Sequence, residues 1–408
     1  MISRLAVASA LAVATAAAAG PVAAEQPPVV TVSVVPDQDP FYAPPPDLDS
    51  LGNGQVVAGR EINTTLPVPV RAWQVSYRTN DSHGNAELGI TTLLVPTAPW
   101  TGAGTRPAVS EQIPEDSTGT RCAPSYGIGT GTLQSGDQIG AMLAEGWAVA
   151  VPDFEGPKSA FLTGPQSGHA ILDGVRAAGG FTPAGLGRDT RWALDGYSGG
   201  AAATGWAAEL QPTYAPELAF AGAAIGGVPA SLPTVMANVD GGMFSGFLVG
   251  VLVSYQREFP EARIDELLNE RGRADTAAAA DLCVIELLIR YPFWRLAAAT
   301  ADRYRDDTRL TEALQRNSLG AHAPAMPILN YQSDADEVVP VAQADDLVAA
   351  WRRGGTTVVT IRDPQGEHAQ EASQRQATAQ QFLREWLTVG GPVIDADLNR
   401  PVGQGQGQ

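Results

Sequence analysis

Two kinds of apolar spacing divide the chain. Trp73 to Arg78 and Leu88 to Val95 are β-rich runs separated by the turn cluster Asp81-Ser82-His83-Gly84-Asn85, which predicts a hairpin. Beyond it, short apolar runs at Pro107–Ser110, Trp147–Pro152, Arg191–Leu194, Leu218–Ile225, Ala325–Tyr331 and Thr356–Ile361 alternate with stretches of helical character at Asp137–Glu145, His169–Ala178, Ala201–Leu210, Val341–Arg353 and Ala372–Leu387. Alternation of this kind predicts an α/β fold with a mainly parallel central sheet covered by helices on both faces. Between Val228 and His322 the strand signals stop. Five helix-like segments follow there, near Ser245–Glu258, Ala262–Arg271, Thr276–Arg290, Trp294–Arg305 and Thr308–Asn317, and read as a helical cap inserted into the core.

The ends differ from this body. Arg4, the apolar stretch Leu5–Ala18 and the small residues Val22-Ala23-Ala24 match a signal peptide over residues 1–24, too short for a membrane anchor. The expected organisation is therefore a first core part at 25–227, a cap at 228–322, a second core part at 323–390 and a tail at 391–408 that ends in glycine and glutamine. Residues 25–50 are rich in proline and acid, which predicts an extended surface course. With 44 acidic and 26 basic residues the formal charge is −18, which argues against nucleic acid as a partner, because phosphate binding needs clustered Lys and Arg. Two cysteines, Cys122 and Cys283, survive in a chain read as exported; such a pair favours a disulfide over a metal site, for which further ligands are missing.

The chemistry gathers around Ser198. Trp192-Ala193-Leu194 leads into Asp195-Gly196-Tyr197-Ser198-Gly199-Gly200, and a helix-like run begins at Ala201. Strand, tight turn and helix are the context of a nucleophile elbow, with Gly196, Tyr197 and Gly200 shaping the turn. A serine hydroxyl is a weak nucleophile until a base takes its proton, so a histidine is required. Only four exist. His83 lies in the hairpin turn, His169 at a helix start upstream of the elbow, and His322 before a strand, at the wrong end of the sheet. His368 sits in the loop Pro364–His368 after the last expected strand, where a base is presented in a fold of this kind. The loop after Tyr331 offers Asp334, Asp336 and Glu337 as the orienting acid; Asp336, which begins Asp-Glu-Val-Val-Pro, is preferred. The order Ser, Asp, His is that of α/β-hydrolases. An oxyanion needs preorganised donors, and the amide of Gly199 supplies the first. For the second, the turn after Trp147–Ala150 offers Asp153, whose acidic side chain fits a structural cap nearly as well.

With these residues placed, the sequence resembles the secretory lipase family, typified by fungal lipase A and widespread in actinobacteria. The resemblance runs over most of the mature chain and includes Asp39-Pro40-Phe41-Tyr42, Tyr77-Arg78-Thr79, Thr91-Thr92-Leu93-Leu94-Val95-Pro96, Cys122-Ala123-Pro124-Ser125, Pro152-Asp153-Phe154-Glu155-Gly156, Leu172-Asp173-Gly174-Val175-Arg176, Asp336-Glu337-Val338-Val339-Pro340 and Glu367-His368. It implies an α/β-hydrolase fold, the triad Ser198, Asp336 and His368, an oxyanion hole from Asp153 and Gly199, a disulfide from Cys122 to the cap, and hydrolysis of carboxylic esters including acylglycerols. No metal or organic cofactor is implied, and transient contact with a lipid surface is. The chain departs from the fungal members in lacking a second cysteine pair near the histidine, which leaves open how its C-terminal loop is covered and which acyl lengths it prefers. The glycine- and aliphatic-rich run Met243–Val253 is expected either to line an acyl tunnel or to fill the core of the cap. Two other functions share these residues or this fold: a peptidase or amidase, and a catalytically silent cell-envelope binding protein.

Overall fold

Aliphatic residues, alanine the commonest, crowd the segments that form the central strands. The computed structural model describes residues 29–133, 136–304 and 306–388. The expected signal peptide and the C-terminal tail lie outside them. Nine strands form one sheet: β1 (Val56–Ile62), β2 (Val70–Asn80), β3 (Ala86–Pro96), β4 (Ala108–Gln112), β5 (Ala148–Pro152), β6 (Trp192–Tyr197), β7 (Phe220–Gly226), β8 (Ile328–Ser333) and β9 (Val358–Asp363). Their order is β1-β2-β3-β5-β4-β6-β7-β8-β9. The meander β1, β2, β3 joins β5 in antiparallel pairs, and every pair from β5 through β9 is parallel. This is an α/β-hydrolase sheet.

Among the described residues four α-helices precede β7: α1 (Pro124–Thr130), α2 (Gly136–Ala144), α3 (Gly164–Gly180) and α4 (Gly199–Tyr214). Between β7 and β8 come α5 (Leu232–Val239), α6 (Gly246–Glu258), α7 (Ile264–Leu267), α8 (Glu270–Ala278), α9 (Val284–Arg290), α10 (Leu296–Ala299) and α11 (Arg309–Arg316). The chain then returns through α12 (Val341–Arg353) and α13 (His368–Thr388). Alternate strand residues point to opposite layers. Ala193 packs with Ile139, Met142, Phe382 and Leu383 from α2 and α13, whereas its neighbour Leu194 packs with Ile171, Ala207, Leu347 and Trp351 from α3, α4 and α12. Both faces of the sheet are thereby covered.

Three details depart from the sequence expectation. β1 was not foreseen, because Val56–Ile62 carries Gly59, Arg60 and Glu61 and is half-exposed at the sheet edge, so it lacks a continuous apolar run. Residues 36–50 are not simply extended; they hold three short 3₁₀ turns. The expected helix Thr276–Arg290 is split, since the Thr118 hydroxyl binds the carbonyls of Ala279 and Leu282 and breaks the helical ladder between α8 and α9. Cys122 and Cys283 are joined in a disulfide that ties the turn before α1 to the start of α9 across 161 residues of chain. In the chain-entropy picture a closure of that length stabilises by about 5 kcal/mol. Among the described residues, no helix is long and apolar enough to cross a membrane.

Candidate active site

β6 ends at Tyr197 and α4 begins at Gly199, which leaves a single residue to reverse the chain. Ser198 does so at φ 54° and ψ −124°, a conformation that L-residues seldom adopt and that neighbouring bonds must enforce. Its N–H donates to Gly226 O at 2.9 Å, and its carbonyl accepts the Ala202 N–H at 3.1 Å. The glycines around it leave room for this crossing. A Cβ on Gly200 would lie 1.9 Å from Gln112 O, and one on Gly196 2.5 Å from Gly200 O.

His368 is the first residue of α13. Its N–H donates to Glu337 Oε2 at 2.9 Å and its carbonyl accepts the Tyr197 hydroxyl at 2.6 Å, so both sides of the residue are fixed before the ring is considered. Nε2 then lies 2.8 Å from Ser198 Oγ, and Nδ1 lies 2.8 Å from Asp336 Oδ2. A carboxylate beside Nδ1 selects the tautomer with the proton there, which leaves the Nε2 lone pair facing the hydroxyl. Asp336 is itself held, since its Oδ1 accepts the N–H groups of Val338 at 3.0 Å and Val339 at 2.7 Å, and its Oδ2 accepts Gln332 Nε2 at 3.2 Å. Asp334 is exposed, and Glu337 serves the His368 backbone instead of the ring.

The other histidines are elsewhere. His83 is exposed in the hairpin turn, 3.3 Å from Glu261. His322 is exposed, with its N–H on Glu209. His169 lies within α3 with its ring tilted against that of Tyr214, centroids 4.3 Å apart, and burial holds its pKa below the usual histidine value.

One expectation is corrected. Asp153 has no amide to offer an oxyanion, because its N–H donates to Ile90 O at 2.9 Å. Its carboxylate receives the Ser125 N–H at 2.8 Å and the Ser125 hydroxyl at 2.5 Å, and it faces a separate cavity of about 140 Å³ beneath Tyr42. The acid beside Ser198 is instead Asp116, in the loop that leaves β4 next to β6. Asp116 has a left-handed φ of 46°, is buried, and has a carboxyl oxygen with no hydrogen-bond partner. A Cβ added to Gly199 would come within 1.9 Å of its Oδ1, so the carboxyl rests over the start of α4. Burial pushes the Asp116 pKa up to about 7, opposed by His368. Pro114-Glu115-Asp116-Ser117 looks like an ordinary acidic turn in sequence; only the β4–β6 pairing gives it meaning.

Two cavities meet at Ser198. The larger, about 630 Å³, is bounded by Asp116, Tyr126, Leu133, Phe247, His368 and, at its rim, the Cys122–Cys283 bridge. The smaller, about 20 Å³, lies between Phe161, Met236, Phe247 and Val338. Of the run Met243–Val253 only Phe247 borders either cavity; Leu248, Val249, Val251, Leu252 and Val253 are buried in one hydrophobic cluster with the other helices between β7 and β8. Ligand atoms of Asp81, His83 and Glu258 lie within 4.8 Å of one another, but Lys158 Nζ, 2.8 Å from Glu258 and 3.9 Å from Asp81, already pairs with both carboxylates of that group.

Directly behind the elbow, Glu111 on β4 faces Asp195 on β6 in register, both buried and in side-chain contact. Burial and their mutual repulsion push Glu111 well above the usual carboxylate range; burial likewise raises Asp195. Carboxyls with raised folded-state pKa values favour the fold while neutral, so their contribution is complete below about pH 4 and is lost as pH climbs through the raised values. The melting temperature is therefore expected to fall as pH rises above neutrality. Glu111→Gln is expected to flatten that decline, as calorimetry over a pH series would record.

Comparison with known proteins comes to the same chemistry. A family model described as secretory lipase matches residues 130–391. A protein called a probable inactive lipase, from Mycobacterium tuberculosis, is 34% identical over 89% of this chain and 84% of its own. A secreted triacylglycerol lipase of Malassezia globosa is 32% identical, covering 82% of this chain and 78% of its own. The crystal structure of Candida antarctica lipase A in its closed state superposes with a TM-score of 0.83 at 28% identity, over 89% of each chain.

Proposed function

The chain belongs to the secretory lipase family, and from that premise we propose that it is a secreted carboxylic-ester hydrolase whose acyl-enzyme forms on Ser198. The observation that carries the reading is the contact chain from Ser198 Oγ to His368 Nε2 and from His368 Nδ1 to Asp336 Oδ2, both contacts 2.8 Å. His368 takes the hydroxyl proton as Oγ attacks the ester carbonyl, and the imidazolium is stabilised by Asp336. The alcohol leaves with that proton. Water, deprotonated by His368, then releases the acid and restores the hydroxyl. Substrate esters are acylglycerols and simpler alkyl esters, seated in the larger cavity. Residues 1–24 direct export, and residues 228–322 act as the cap over the site.

The oxyanion is held by the amide of Gly199, which as the first residue of α4 has no acceptor within the helix, and by the neutral carboxyl of Asp116. A carboxyl kept protonated by burial is a strong donor. Asp116→Ala is expected to lower kcat by about 10²–10³-fold with little change in KM, whereas Asp116→Asn, which keeps a donor, retains more. Because the raised pKa is about 7, the donor is present below that pH and is lost above it. The falling alkaline limb of the kcat profile is expected near there in the natural protein and absent in Asp116→Asn.

A second reading follows from the Mycobacterium tuberculosis relative called a probable inactive lipase: a silent protein that keeps the fold. The intact contact chain speaks against it. Rates on p-nitrophenyl esters of graded chain length, beside amide analogues and a Ser198→Ala control, separate the readings. Ester turnover that vanishes in the control supports hydrolysis, amide turnover alone supports a peptidase, and no turnover supports silence.

A further inference from the structure

Asp116 presents its carboxyl beside Ser198 from a strained backbone. A left-handed φ of 46° is uncommon for a residue with a side chain, and such strain persists only where the surroundings over-determine it. The next residue shows what enforces it. Ser117, fully buried, gives its N–H to both carboxyl oxygens of Glu155 at 3.3 Å and its hydroxyl to Glu155 Oε2 at 3.1 Å. That N–H belongs to the peptide joining Asp116 to Ser117, so holding it fixes ψ of Asp116.

Glu155 is itself fixed. It is buried in the turn that leaves β5, and its carbonyl accepts the Ala160 N–H at 2.8 Å. Arg257 of α6 ties that turn to the Asp116 loop a second time, because its Nη1 donates to Thr118 O and to Lys158 O, each at 2.7 Å. Asp153, in the same turn, repeats the grip at the far end of the segment, where it takes the N–H and hydroxyl of Ser125. Only the Glu155 grip abuts Asp116. Glu155 borders neither cavity at Ser198, so its influence on a reacting ester passes through the loop.

We propose, resting on the hydrolase reading, that Glu155 is the positioning residue of the oxyanion site: by holding Ser117 it keeps the Asp116 carboxyl over the start of α4, beside Gly199. Placement there is exacting, since a Cβ on Gly199 would lie 1.9 Å from Asp116 Oδ1. Burial, with Asp116 alongside, pushes the Glu155 carboxyl well above the usual carboxylate range. It therefore grips as a neutral acid, whose shape and lack of charge a glutamine reproduces.

Glu155→Ala is expected to lower kcat on p-nitrophenyl butyrate about 10²-fold, the cost of a donor displaced by about 1 Å, with KM nearly unchanged. Glu155→Gln is expected to restore most of the rate. In the Asp116→Ala background Glu155→Ala is expected to cost almost nothing more, because the group it positions is gone. A hexyl trifluoromethyl ketone, whose adduct oxygen on Ser198 occupies the oxyanion site, is expected to bind Glu155→Ala weaker by about the same 10²-fold. Ser117→Ala removes one hydrogen bond of the grip, is expected to lower kcat about fivefold, and carries the same cycle with Asp116→Ala if Glu155→Ala does not fold. A crystal structure of either variant is expected to show the Asp116 carboxyl drawn away from Gly199. Losses that multiply in the double variant, an equal loss in Glu155→Gln, or Asp116 unmoved in the crystal would overturn the proposal. Movement of Asp116 in a protein whose natural form hydrolyses no ester would uphold the grip and overturn only the hydrolase reading.

Discussion

His368→Ala is expected to reduce kcat on p-nitrophenyl butyrate by a factor on the order of 10⁶, and the double variant Ser198→Ala/His368→Ala no further. The reason is geometric. Nε2 of His368 is 2.8 Å from Ser198 Oγ, and the other three histidines are occupied elsewhere: His83 against Glu261, His169 against the Tyr214 ring, His322 with its backbone on Glu209. Without a base the hydroxyl keeps its proton at neutral pH, and without the hydroxyl the base has nothing to activate, so the two losses overlap instead of adding. Paired single and double variants, assayed at matched concentration, give the check. A double variant worse than either single one by the product of their effects would mean that the two side chains act independently.

Asp336→Asn is expected to lower kcat by about 10⁴ while leaving the melting temperature nearly unchanged. The two oxygens of Asp336 do different things. Oδ1 accepts the Val338 and Val339 amides, and an asparagine oxygen can take over that duty. Oδ2 faces His368 Nδ1 at 2.8 Å, where an asparagine would present its NH₂. That donor forces the imidazole proton to Nε2, against the serine hydroxyl, in the tautomer that cannot accept its proton. Asp336→Ala, by contrast, removes the acceptor of two turn amides and is expected to lower both the rate and the melting temperature. The difference between the two variants, read by scanning calorimetry beside kinetics, separates the electrostatic role from the structural one.

Much of the site was legible because its parts are local in sequence. The elbow is six consecutive residues, and its glycines are dictated by contacts as close as Gly200 to Gln112 O. His368 and Asp336 follow from where a loop leaves β9 and β8. Asp116 and Asp153 were not distinguishable in that way. Both are acids in turns after short apolar strands, and the choice depends on which strand neighbours β6. The sheet order places β4 there and β5 one position further out, with Asp153 engaged by β3 through Ile90. That order is a long-range property of the sheet, absent from any local window. The edge strand β1 was missed for a related reason, since an exposed strand needs only one apolar face and Val56–Ile62 supplies little of even that. The split between α8 and α9 depends on a hydroxyl of Thr118 more than 150 residues upstream, with |i−j| of 161 to Ala279.

The central claim is that the Ser198 hydroxyl is activated for attack by His368. Diethyl p-nitrophenyl phosphate reports this directly, because an activated serine displaces p-nitrophenolate and retains the diethyl phosphoryl group, whereas an ordinary surface serine does not react. Intact-mass and peptide mass spectrometry of the treated protein is expected to find one adduct per chain, on the peptide containing Ser198, formed in step with loss of esterase activity and absent from His368→Ala. An unmodified Ser198 in a protein that still hydrolyses esters, or an adduct that forms equally fast without His368, would contradict the account.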